Sequence, residues 1–210
     1  YDGRSHNYNV SPGVSLRPTA AFSAEFGVSY ESRLDDAQWV NAVTAVDGTT
    51  HYVFGRLDQK TSSITARVNY TITPNLSVQV YAQPLVSSGR FDRYKEFRAP
   101  RTFEFDVYDS DRGTIVRDRS THEVHVDPDG AGPAAPFQFE EREFTVRALR
   151  GNAVLRWEYR PGSTLYLVWQ QSREDEVATA HLAAARRPAD AFRVAAQNVF
   201  LLKVSYWFGR

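Results

Sequence analysis

The chain has 210 residues, with 25 basic and 25 acidic side chains balancing to a formal net charge of zero, and 13 % of its residues are aromatic. That length suits one domain, and the charge balance argues against a nucleic-acid partner, which draws a basic excess. There is no cysteine, which excludes disulfides and thiolate metal sites.

Seven segments alternate apolar and polar residues with period two, the signature of a pleated strand. In the first, Tyr8, Val10, Val14 and Leu16 alternate with polar or small residues up to a turn at Arg17-Pro18-Thr19. The second carries Phe22, Ala24, Phe26, Val28 and Tyr30 on one face. A longer connection over about residues 33–60 follows, with Asp47-Gly48 as the tip of a hairpin between AQWVNAV and THYVFGRL. Ile64, Ala66, Val68, Tyr70 and Ile72 form the next apolar face, Thr73-Pro74-Asn75 turns the chain, and Leu76, Val78, Val80 and Ala82 continue it. A long insertion occupies about residues 86–143, within which PDGAGPAAP (128–136) reads as a mobile loop tip.

Beyond the insertion, NAVLRWEYRPGSTLYLVWQQ (152–171) reads as a hairpin around Pro161-Gly162. Leu155, Trp157 and Tyr159 precede the turn, and Leu165, Leu167 and Trp169 follow it. A polar connection (about 172–196) leads to a last strand with Phe200, Leu202, Val204, Tyr206 and Phe208.

Two architectures fit strands that are greasy on one side and polar on the other. In a soluble β-sandwich binding module the greasy side is the core. In an outer-membrane barrel it meets lipid. Short proline-containing turns alternate with long polar connections, and the last strand ends in aromatics; both features favour the barrel. No apolar run reaches the roughly 18–20 residues of a membrane helix, and alternating strands escape hydropathy scans. The reading is therefore all-β, with antiparallel up-and-down strands, about seven in number, forming the C-terminal part of a transmembrane β-barrel. The missing methionine and seven strands of which the first would start on the outer side point to residues 1–210 being the C-terminal part of a larger barrel; no signal peptide is visible at Tyr1-Asp2-Gly3-Arg4, and none is expected in such a piece. Residues 86–143 would be a long extracellular loop.

LRWEYRPGSTLYLVWQQSRED, FGRLDQKTSSITARVNYTITPNLSVQVYAQPLVSSGRF and NVFLLKVSYWF resemble the C-terminal half of a family of uncharacterised bacterial outer-membrane proteins. That family carries an N-terminal carbohydrate-binding domain similar to family 9 modules, followed by a long domain of unknown function. The likeness covers most of residues 13–100 and 149–208. It implies a location in the outer membrane of a Gram-negative cell envelope and a porin-like, structural or transport-like role, linked to glycan or polymer handling through the N-terminal part. The implied partners are outer-membrane lipid, that N-terminal part and a glycan. An alternative is a membrane anchor for a surface carbohydrate-active hydrolase whose active site lies outside residues 1–210.

Candidate chemistry within the chain is thin. His122-Glu123-Val124-His125 invites a metal, but i and i+3 point oppositely on a strand, and solvated loop residues explain it. Asp109-Ser110-Asp111-Arg112-Gly113 and Asp127-Pro128-Asp129-Gly130 hint at calcium, but neither has a closing glutamate, and turn chemistry accounts for both. Glu25, Glu31, Glu158, Arg67, Arg156 and Lys203 would lie together on the polar side, where opposite charges lining a lumen explain them better than a glycosidase pair. No catalytic, cofactor-binding or metal-binding residue is expected, and no cofactor.

One expectation is specific to faces. Trp157, Tyr159, Leu165, Leu167, Val204 and Tyr206 should point to lipid, and Arg67, Asn69, Gln79, Arg156, Glu158 and Lys203 to the lumen, because an arginine or lysine facing lipid near the midplane costs roughly 2–4 kcal/mol.

Overall fold

The structure, a computed structural model, describes residues 5–209. Tyr1-Asp2-Gly3-Arg4, where no signal peptide was read, lie outside the described residues.

Twelve strands form two antiparallel sheets. The larger contains β1 (His6–Val10), β2 (Gly13–Thr19), β3 (Phe22–Thr44), β4 (Thr50–Thr73), β5 (Leu76–Phe97), β6 (Phe105–Val107), β10 (Phe144–Arg160), β11 (Ser163–Val177) and β12 (Gln197–Ser205). The smaller is β7 (Thr114–Asp118), β8 (Glu123–Asp127) and β9 (Phe137–Glu140), in that order. The expectation of about seven strands is thus corrected. β1 and β2 both pair with β3 in one continuous register, interrupted at Ser11-Pro12, so they form a single rib of the sheet. Seven ribs run in the order β1/β2, β3, β4, β5, β10, β11, β12. The additional strands come from the insertion after β5, which does not remain a loop.

No pairing joins β12 to β1 or β2 among the described residues, so the sheet is open and no closed barrel forms within them. Both outer ribs leave a row of backbone donors and acceptors unpaired, a template for further strands.

Several boundaries also move. Arg17-Pro18 is a bulge within β2, where the register shifts between Leu16 and Thr19, and the chain turns at Ala20-Ala21. Proline is tolerated there because β2 is an edge strand. Residues 33–60 are mostly strand: β3 and β4 form a long hairpin with its tip at Asp47-Gly48, where Gly48 has φ +86° and the Asp47 carboxylate accepts from Thr49 N at 2.9 Å. Alternation fades there because β3 carries two bulges, between Asp35 and Gln38 and between Trp39 and Asn41. β5 continues to Phe97, β11 to Val177, and β12 stops at Ser205, so Tyr206 and Phe208 lie beyond it.

The hairpin at residues 160–163 forms as predicted. Gly162 sits at φ +76°, where a Cβ would approach the Trp207 ring to 3.1 Å. Trp207 N donates to Ser163 Oγ at 3.0 Å, so the end of the chain seals this turn.

The well-packed core lies at the far end from these turns. Val53 and Leu57 of β4 and Phe91 and Tyr94 of β5 pack with Val124 and Val126 of β8 and Phe137 and Phe139 of β9. The described chain is thus a long open sheet with a capped end and a bare end.

Candidate functional site

The site follows from which residues share a face. Residues opposite each other in an antiparallel ladder point to the same side. One row across all seven ribs reads Leu16, Ala24, Val68, Val80, Ala153, Trp169, Phe200. The row next to it, nearer the short turns, reads Phe22, Tyr70, Val78, Leu155, Leu167, Leu202. The last carries Leu76, Trp157, Leu165 and Val204. These rows make a continuous apolar band on one side of the sheet. Nothing in the described chain covers it: Phe200 is 69 % exposed, Leu202 66 %, Trp157 47 % and Leu167 46 %. Tyr159 and Tyr206 cluster at its turn end, with Tyr159 Oη donating to Ser205 O at 3.4 Å and Arg160 Nη1 donating to Tyr206 Oη at 3.0 Å.

On the opposite side the rows read Ser15, Glu25, Arg67, Tyr81, Asn152, Gln170, Val199, and then Ser77, Arg156, Tyr166, Lys203. Arg67, Asn69, Gln79, Arg156, Glu158 and Lys203 therefore share one face, opposite Trp157, Leu165, Leu167 and Val204. The polar side is not uniform, since Val154, Val168 and Leu201 form an apolar row within it.

The charged groups singled out on this face each have a partner. Glu25 accepts from Arg67 at 3.2 Å, Glu31 from Asn7 at 2.9 Å, and Glu158 from Arg156 at 3.2 Å. Arg150 donates to Glu174 at 3.0 Å. Lys203 lies over the Tyr166 ring, 6.0 Å from its centroid. Each of these glutamates already holds a donor, an arrangement suited to a polar wall rather than to an acid–base pair.

The capped end adds a feature that periodicity did not reveal. β4 runs without a bulge from Arg67 to His51; the extra residues sit in β3 and β5. Leu57, Val53 and His51 therefore lie on the same face as Arg67 and Asn69. The β7–β9 sheet packs on that face, so the insertion folds over the polar side. Glu96 of β5 ties it down. Its carboxylate lies 3.1 Å from His51 Nδ1 and accepts from Arg112, while the His51 ring stacks on Phe137 with centroids 4.1 Å apart. Burial, reinforced by the neighbouring Glu96 carboxylate, pushes the Tyr108 phenol well above its usual range, and burial does the same to Tyr94. Both tyrosines remain neutral.

The opposite, apolar side is covered only near its capped end. The connection after β11 folds into two short 3-10 helices, Ala184–Arg186 and Pro188–Arg193. Ser88 Oγ and Thr145 Oγ1 each accept from His181 N at 2.9 Å, and Arg173 donates to Phe192 O and Val194 O at 2.6 Å. Val86 and Leu149 are buried there, and the bare band lies between this cover and the short turns.

The remaining motifs settle as local structure. His122 occupies a turn at φ +57°, and His125 on β8 lies 3.7 Å from Glu123. Asp111 accepts from Val107 N at 2.9 Å, and Asp127 from Gly130 N at 2.8 Å, as turn residues do. Among the described residues no group of three or more metal-ligating side chains converges. Glu96, His51 and Arg112 were missed because Lys95-Glu96 reads as a solvated pair in the sequence. The bulge at Arg93, with φ +48°, is what sends Glu96 inward.

A family model described as Domain of unknown function (DUF5916) matches residues 1–209. No curated protein and no solved structure matches the chain.

Proposed function

We propose that this chain, which belongs to the DUF5916 family, forms part of the wall of a transmembrane β-barrel in a bacterial outer membrane, with a structural or transport-like role. The observation that carries the reading is the uncovered apolar band across seven ribs. A monomer in water rarely exposes so large a contiguous apolar surface, and among the described residues no second sheet lies over it, as one would in a sandwich. Lipid accounts for it.

The dimensions agree. On β5 the band runs from Leu76 to about Pro84, some nine residues, and a tilted membrane strand needs roughly 9–11. β3, β4 and β5 have 23, 24 and 22 residues. They extend well past the lipid, carrying the cap outward, while the short turns face the periplasm. The polar face lines the lumen, with the β7–β9 cap over its outer mouth. Ribs alternate in direction, so β1/β2 and β12 run the same way. Antiparallel closure then takes an odd number of further strands, which gives an even total.

The test uses the full polypeptide in its native host. It should fractionate with the outer membrane, require detergent for extraction, and migrate faster on a gel unheated than heated. Solubility without detergent and identical migration would contradict the barrel.

A further inference from the structure

We infer that the polar face carries a binding site for a neutral, polyhydroxylated ligand of mono- or disaccharide size, at Tyr81, Asn152, Gln170 and Gln197. The inference rests on that face lining a lumen, and it adds what the lumen recognises. Tyr81, Asn152 and Gln170 are consecutive in one row across β5, β10 and β11. Arg150, Ser172 and Gln197 are consecutive in the adjoining row, which adds β12. Together they line a depression of about 340 Å³, at the small end of the roughly 300–1,000 Å³ typical of ligand sites.

Two features define the ligand. The first is unused amide chemistry. The side chains of Asn152, Gln170 and Gln197 make no hydrogen bond among the described residues. A carboxamide holds a donor and an acceptor side by side, so it pairs with two neighbouring hydroxyl groups at once. Strands sit about 4.8 Å apart, so amides in adjacent ribs reach successive hydroxyls of one small molecule. The second is cancelled charge. Arg150 is held by Glu174 at 3.0 Å and Arg67 by Glu25 at 3.2 Å. Neither cation is left to draw an anion. A peptide fits less well, since it would need apolar pockets for its side chains, and the lining is largely amide, hydroxyl and guanidinium. Tyr81 adds a ring at the rim, one face of it under Arg67 at 5.5 Å from its centroid and its hydroxyl fixed on Gln83 at 2.9 Å.

Isothermal titration of the detergent-extracted full polypeptide with maltose, an anionic digalacturonate and triglycine tests this. Maltose should bind saturably and more tightly than the other two. The double substitution Asn152→Ala/Gln170→Ala should weaken it by about tenfold or more, since each lost hydrogen-bonding group costs about one kcal/mol. Asn41→Ala, at the capped end, should leave binding unchanged. Preference for digalacturonate or triglycine, or maltose binding indifferent to the double substitution, would overturn the site. The gel-shift assay reports on the barrel separately. An intact shift without maltose binding overturns the site and keeps the barrel. Substitution-sensitive maltose binding without a shift keeps the site and overturns the barrel.

Discussion

Lys95 and Asp36 meet at 2.7 Å with their side chains only 2 % and 3 % exposed. Lys95 also lies over the Phe105 ring, 4.9 Å from its centroid. Removing one member of such a pair strands the other charge in a poor solvent. Lys95→Met is expected to destabilise the capped end by about 3–5 kcal/mol, and Lys95→Met/Asp36→Leu to recover most of that loss. Hydrogen exchange of the β3, β5 and β6 amides around the pair measures both. Glu141, at 3.1 Å from Arg117, behaves differently. Burial outweighs the attraction of Arg117 and raises its pKa. A carboxyl whose folded value exceeds its unfolded one stabilises the fold fully below the unfolded value, and this contribution is lost as pH rises through the folded one. Protection of β8 and β9 should therefore fall as pH rises above the ordinary carboxylate range, and Glu141→Gln should flatten that slope. None of this was legible in the sequence. Lys95, Asp36, Glu96 and Glu141 look like surface charges; the bulges of β3 and β5 turn the first three inward, and Glu141 lies in the connection between β9 and β10.

Ribs were far more legible than their ends. Period-two alternation located each rib because apolar rows run unbroken across one side of the sheet from β2 to β12. Hairpin tips at Asp47-Gly48, Pro74-Asn75 and Pro161-Gly162 followed from turn chemistry. The insertion failed as a loop because β7–β9 are short, and their apolar residues Val124, Val126, Phe137 and Phe139 gain meaning only against Leu57 and Phe91. The pairing register makes an element-scale prediction. Leu167 and Gln170 stand on opposite faces of β11, matched with Leu202 and Val199 of β12. Leu167→Arg should cost roughly 2–4 kcal/mol if the apolar face meets lipid, and heat-modifiable assembly should drop sharply. Gln170→Arg should assemble as the parent does, measured by the same gel.

At the scale of the whole molecule, what lies against each face of one open sheet decides between lipid and water. The chain has no cysteine, so a single introduced cysteine carries a spin label at a known position. Labels at Leu155, Leu167 and Leu202 sample the apolar rows, and labels at Gln79 and Gln170 sample the polar ones. In the full polypeptide reconstituted into lipid vesicles, collision with dissolved oxygen reports lipid, and collision with a water-soluble nickel chelate reports water. High oxygen and low chelate accessibility are expected at Leu155, Leu167 and Leu202, and the reverse at Gln79 and Gln170. High chelate accessibility at all five positions, or oxygen accessibility greatest at Gln79 and Gln170, would contradict the barrel.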